Sequence, residues 1–193
     1  MKNGKIKEEI MKKIENEVKN CKKCDLFDKR KNVVFGYGDL NSKVIFIGEA
    51  PGKNEDETGI PFCGKAGKVL DKLLKSISIK RENIYITSVL KCRPPKNRKP
   101  KKEEIESCGI YLKKQIEIIN PKVICCLGDI SLKFIFKNFS INEKCKISKL
   151  HGKVIEINNI KILPTFHPAY AIYNPKIISL MEKDFKKLKG LIC

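Results

Sequence analysis

The chain has 193 residues, 41% hydrophobic and 33% charged, a balance that suits one globular domain over 1–193 and excludes a disordered polymer. Lys and Arg number 41 against 22 Asp and Glu, a formal charge of +19; this favours a polyanionic partner, nucleic acid first, over lysines that merely solvate a thermophile-type surface. The first twenty residues are charged throughout, with no apolar signal segment, and no apolar run reaches the roughly 20 residues of a membrane span, so the expectation is a cytoplasmic protein with no membrane partner.

In chain order, Ile6, Ile10, Ile14 and Val18 recur every fourth residue and predict an amphipathic helix running into Cys21-Lys-Lys-Cys24. Residues 44–47 form an apolar run that stops at Gly48, the pattern of a buried strand. Residues 64–77 read as helix, and residues 84–89 alternate like a strand that ends just before Cys92. From Lys101, the spacing of Ile105, Cys108, Leu112, Ile116 and Ile119 predicts a helix closed by Asn120-Pro121. Residues 123–127 are a third apolar strand, ending at Gly128, with a helix through Phe136 after it. Residues 154–157 and 161–163 flank Asn158-Asn159 as a hairpin, and Ile178, Met181, Phe185 and Leu188 stripe a last helix.

Strands alternating with helices predict an α/β fold with three layers, α/β/α, around a central mostly parallel sheet. Ligand sites in such folds lie at the carboxyl ends of the strands. That rule singles out the segments starting at Gly48, Ser88, Gly128 and Thr165.

Nine cysteines without an export signal argue for metal or catalytic roles rather than a disulfide framework. Cys21 and Cys24 form a CxxC, and Cys92 and Cys108 have fifteen residues between them. Thiolates suit zinc or an iron–sulfur cluster. Structural zinc sites usually pair two short-spaced knuckles, so the open gap weakens a zinc ribbon; on spacing alone a cluster, zinc and no metal all stay open. Of the other cysteines (Cys63, Cys125, Cys126, Cys145, Cys193), Cys125 and Cys126 lie inside an apolar strand and read as core.

Three segments stand at the strand ends: Gly48-Glu-Ala-Pro-Gly52, followed by Thr58-Gly-Ile-Pro-Phe62 and Gly64-Lys-Ala-Gly67; Lys91-Cys-Arg-Pro-Pro-Lys-Asn-Arg-Lys-Pro100; and Thr165-Phe-His-Pro-Ala-Tyr170. From Cys21 to Tyr170 the chain resembles the family 4 uracil-DNA glycosylases, the thermophilic bacterial and archaeal branch that carries a [4Fe-4S] cluster. The resemblance implies a monofunctional DNA-repair hydrolase that flips uracil out of DNA, cuts its N-glycosidic bond and leaves an abasic site. It implies that Cys21, Cys24, Cys92 and Cys108 hold the cluster, which staples the N-terminal helix to the basic loop and transfers no electrons.

For the base, the resemblance puts Gly48, Glu49 and Ala50 at the pocket wall, Phe62 stacked on the flipped ring, and Glu55 beside the base edge where it excludes thymine's methyl group. His167 becomes the catalytic donor to uracil O2, where negative charge develops; no general base is named, and Asn97, in the Lys96-Asn97-Arg98 segment, is a candidate to position the water. His151 reads as a loop residue. Ser88 departs from the pattern: four residues before the third cluster cysteine the family has an Asn that reads uracil N3–H and O4. A hydroxyl cannot offer an amide's donor–acceptor pair, which keeps open a non-catalytic or altered-specificity iron–sulfur DNA-binding relative.

Arg93, Lys96, Arg98 and Lys99 make a basic loop expected to track phosphates, and Tyr170 is expected to enter the space left by the flipped base. Uracil-containing DNA is thus the expected partner of a nucleoid-associated monomer. A sliding clamp is a further partner on which the sequence is silent.

Overall fold

The computed structural model describes residues 2–142 and 146–192. Helix α1 (Lys2–Lys19) and the short α2 (Leu26–Lys29) precede an edge strand, β1 (Tyr37–Gly38). β2 (Val44–Gly48) leads through α3 (Lys53–Thr58) and α4 (Lys65–Ser76) to β3 (Tyr85–Ser88), and α5 (Lys102–Ile119) links β3 to β4 (Val123–Leu127). α6 (Asp129–Asn138) and α7 (Ile147–Leu150) come before the hairpin of β5 (Ile155–Ile157) and β6 (Ile160–Thr165); α8 (Pro168–Tyr173) and α9 (Ile177–Ile192) follow it.

Among the described residues six strands form one sheet, ordered β1-β3-β2-β4-β6-β5. The inner four are parallel, and the edges β1 and β5 pair antiparallel. The register sets Gly48 beside Ser88, Ile47 beside Cys126, and Leu127 beside Thr165. Four strands therefore finish along one carboxyl edge, as the alternation of elements predicts.

Every residue of β2 and β4 is buried, which is what apolar runs on a doubly covered parallel sheet require. Cys125 and Cys126 lie here, in the core, while Cys145 and Cys193 fall outside the described residues. On one side α1 packs on α5, and Gly109 of α5 lies against the Phe134 ring of α6. On the other side α4, α8 and α9 pack together, and Phe185 of α9 meets Phe46 of β2 at 5.8 Å between ring centres. No helix among the described residues is long and apolar enough to cross a membrane.

Two apolar stripes depart from expectation. In α1 the buried residues are Met11, Ile14 and Val18, while Ile6 and Ile10 are exposed. A four-residue spacing advances about 40° per step around a helix, so the predicted stripe winds off the contact with α5. In α9 Met181, Phe185 and Leu188 are buried, but Ile178, one turn before them, is exposed. The Asn158-Asn159 turn forms as predicted, both residues with positive φ (49° and 62°), the conformation of a tight hairpin turn that Asn tolerates.

Candidate active site

The loops leaving the carboxyl edge wall a cavity of about 330 Å³, within the size range of small-ligand pockets. Glu49, Ala50, Glu55, Phe62, Ser88, Asn97, Arg98 and His167 all line it. Residues more than a hundred positions apart thus meet because their strands end in register.

Gly48 shapes this wall by what it lacks. A Cβ there would stand 2.8 Å from Phe62 Cζ and 3.0 Å from Ser88 Oγ, so glycine lets the ring and the hydroxyl converge on the end of β2. Gly48 is behind the lining, not in it, and its carbonyl already accepts Val89 N–H at 3.0 Å. The Glu49 carbonyl is likewise taken by Leu90 N–H at 3.1 Å. Phe62 is buried with φ of 51°, a left-handed backbone that a bulky residue adopts only when its surroundings hold it there.

Glu55 has both carboxylate oxygens engaged: Gly52 N–H donates to Oε2 and Gly64 N–H to Oε1, each at 3.1 Å. It sits in the first turn of α3, where a carboxylate is favoured by the unpaired amides. It therefore braces two loops of the wall with the oxygens that would otherwise reach a base edge. Glu49 keeps a carboxyl raised by burial, with Lys99 opposing the shift.

His167 caps α8. Its Nδ1 accepts the Ala169 N–H at 3.1 Å, so the imidazole proton resides on Nε2. Burial pushes this imidazole down to about 4, with Glu55 opposing, and the ring is neutral at physiological pH. Its centre lies 5.6 Å from that of Phe62. The cavity therefore pairs an aromatic face with a neutral N–H donor.

Behind His167, Thr165 Oγ1 donates to Asp184 Oδ2 at 2.8 Å, and His151 Nδ1 lies 3.3 Å from both Asp184 oxygens. His151 is thus more than the loop residue expected: it joins the hairpin side to α9 and packs on Phe166, 4.6 Å between ring centres. Tyr170 is outside the cavity, exposed, and stacks on Phe166 at 5.9 Å.

The basic loop divides. Arg98 makes a two-pronged ion pair with the buried Glu104, so its charge is answered within the chain. Arg93 Nε donates to Asn97 Oδ1 at 2.7 Å and fixes that amide. Lys96 and Lys99 are exposed, and no ion pair engages them among the described residues. Lys96 and Asn97 both have positive φ (53° and 55°), a sharp turn from which Asn97 and Arg98 reach the cavity lining.

A second, smaller cavity lies under this loop, lined by Cys21, Cys24, Cys92 and Cys108. The first pair comes from the turn after α1, Cys92 from the loop after β3, and Cys108 from α5. Arg30 Nη1 donates to Cys92 Sγ at 3.3 Å, and the Lys91 backbone N–H donates to Cys108 Sγ at 3.2 Å. Among the described residues no three acidic, His or Cys side chains are gathered tightly enough for a single ion. Four thiols facing one apolar cavity, two of them receiving N–H donors, match the donor set of a polynuclear iron–sulfur centre. Burial pushes the Cys24 and Cys92 thiols up and the Cys108 thiol up to about 12; cationic iron is what would hold them as thiolates.

Val34, Pro61, Ala66 and Pro94 also line the first cavity, and Arg30 and Lys91 brace the second. Pro61, Ala66, Pro94 and Lys91 stand within the quoted motifs but carry no role there, and Val34 and Arg30 lie outside them, because apolar lining and long-range donors carry no local pattern.

The uracil DNA glycosylase superfamily model matches residues 35–189. A type-4 uracil-DNA glycosylase of Archaeoglobus fulgidus is 46% identical over 184 residues, 93% of this chain and 92% of the relative. One from Thermotoga maritima is 43% identical over 96% of both chains. A type-5 uracil-DNA glycosylase of Pyrobaculum aerophilum reaches 31% over 69% of this chain and 64% of its own. With the motifs at the carboxyl edge and near full-length identity to the type-4 enzymes, the chain belongs to the uracil DNA glycosylase superfamily and, within it, to the type-4 branch.

Proposed function

We propose that this chain removes uracil from DNA by hydrolysis of the N-glycosidic bond, working as a single-domain monomer on DNA in the cytoplasm. The observation that carries this reading is the neutral His167 facing Phe62 in the cavity. A nucleotide flipped from the stack enters the cavity, and Phe62 stacks on its ring, a contact worth roughly 1–3 kcal/mol. As the glycosidic bond lengthens, negative charge grows on uracil O2. The His167 Nε2–H donates to that oxygen; it is held in place by the Ala169 bond and costs little reorganisation. Asn97, its carbonyl oxygen fixed by Arg93, orients water from the cavity mouth through its free amide group. Ala50 and the Glu49 segment bound the pyrimidine, and the Ser88 hydroxyl reads its edge.

We assign the [4Fe-4S] cluster to Cys21, Cys24, Cys92 and Cys108. Its contribution when bound is cross-linking, since it would join α1, the loop after β3 and α5 without redox chemistry. Lys96, Lys99 and Arg93 would track phosphates, and Tyr170 would fill the vacated stack.

The test is an oligonucleotide with one uracil, scored by alkaline cleavage at the abasic site, beside thymine and hypoxanthine substrates. Cleavage at uracil alone is expected. Intact uracil with bound DNA and full iron content would favour the altered-specificity reading, which rests on Ser88. Ser88 is a buried residue at the cavity wall, no hydrogen bond engages its hydroxyl among the described residues, and that oxygen is open to the cavity. Ser88→Asn is expected to raise uracil excision by up to about tenfold, the value of one added hydrogen bond. Unchanged or lower activity would remove Ser88 from the base-reading role.

A further inference from the structure

Lys91 is fully buried, with no carboxylate among its partners. Its ammonium donates to three neutral oxygens: Thr87 Oγ1 at 2.6 Å, Ser88 O at 2.7 Å and Gln115 Oε1 at 2.7 Å. Gln115 in turn donates to Phe35 O and Tyr85 Oη, and Thr87 donates to Phe35 O. An ammonium has three donors, and here all three are spent inside the protein. Burying a cation among neutral acceptors is costly, so the arrangement calls for a positional reason.

The backbone of Lys91 supplies one. Its N–H donates to Cys108 Sγ, its carbonyl accepts Val34 N–H at 2.8 Å, and Cys92 is the next residue. Val34 lines the base cavity. One residue thus grips the end of β3, where Ser88 meets the cavity, and touches the sulfur of α5.

We infer that Lys91 is a positioning residue that locks the base-reading end of β3 to α5 and the cysteine cavity. The inference rests on the reading of the cavity as the uracil site, but its first readout does not. Val89 N–H and Leu90 N–H bond to the Gly48 and Glu49 carbonyls, so their hydrogen exchange reports the seating of this segment directly.

Lys91→Met keeps the stem and removes the donors. It is expected to speed exchange at Val89 and Leu90 by about tenfold or more, with the β4 amides unchanged and iron content retained. Single-turnover excision of uracil should fall roughly 10- to 100-fold, the scale of a small misplacement, while oligonucleotide affinity stays within about twofold. If Lys91→Met does not accumulate folded or loses iron, Gln115→Met removes one acceptor, leaves Lys91 in place and takes the same measurements. Unchanged exchange at Val89 and Leu90 in an iron-replete variant overturns the inference, as does acceleration spread evenly over the sheet. Failure of the parent chain to excise uracil would count against the proposed function alone.

Discussion

The two cavities meet at residues 88–92 and are built in opposite ways. The cysteine cavity is made by side chains: four sulfurs from three elements, sealed by apolar neighbours. The base cavity is made mainly by backbone: strand ends in register, a missing Cβ at Gly48, and loops held by Glu55 through main-chain amides. The first needs particular atoms and tolerates its surroundings. The second needs particular shapes, and in the proposed reading His167, Asn97 and Ser88 bring the polar atoms that act on the base and the water. Catalysis and architecture are therefore separable, and mutations should hit one without the other.

The largest separation is expected at His167. His167→Ala should lower single-turnover excision by about 10²–10³-fold, the loss typical of one donor to a developing anion, with iron content near the parent's and a melting temperature lower only by the few degrees that loss of the α8 cap costs. The pH profile sharpens this. The imidazole sits at about 4 in the fold against about 6.5 in the unfolded chain, so unfolding takes up a proton between these values. The stability it contributes is complete above about pH 6.5 and is lost as pH falls toward 4. Excision should hold below pH 6.5 and fail only as pH nears 4, where protonated Nδ1 can no longer accept the Ala169 N–H. Glu49, whose carboxyl is raised by burial, is a second titratable group on the cavity wall. A Glu49→Gln profile isolates the His167 limb; a midpoint near 6.5 in that variant would contradict a depressed imidazole.

Cys108→Ser should do the reverse. It removes one sulfur from the cavity and is expected to lower visible absorbance and iron content, with the melting temperature falling by more than about 4 °C, the shift of one to two kcal/mol in a chain of this size. Excision should drop in proportion to folded, iron-loaded protein rather than by a fixed factor. A variant that kept its melting temperature after losing iron would break the assignment of a structural role.

The same division explains what can be read without coordinates. The CxxC and the Cys92/Cys108 pair are legible because residue type is the chemistry, and His167 because it stands in a motif at a strand end. The strands are legible from continuous apolar runs such as Val123–Leu127. Glu55 is harder: a carboxylate near a pocket and a carboxylate at a helix start look alike, and only the Gly52 and Gly64 amides decide between them. Arg98 reads as a phosphate contact until Glu104, six residues on, takes its guanidinium. Lys91 is the extreme case, since nothing local says that a lysine in a basic segment is buried beside Gln115.

The smallest expected effect concerns the DNA face, where the pairing of Arg98 leaves fewer free cations than the loop's composition implies. Lys96 and Lys99 are exposed and flank Asn97 and Arg98 of the cavity lining, and each phosphate contact releases counterions on binding. Lys96→Ala with Lys99→Ala should weaken binding to all sequences alike and reduce the slope of log affinity against log salt by about 2, one unit per contact. Arg98→Ala should leave that slope nearly unchanged and instead lower the melting temperature, because it strands the buried Glu104 carboxylate that also accepts Lys101 N–H. If Arg98→Ala reduces the slope as much as either lysine, the ion pair opens on DNA, and the guanidinium is a phosphate ligand after all.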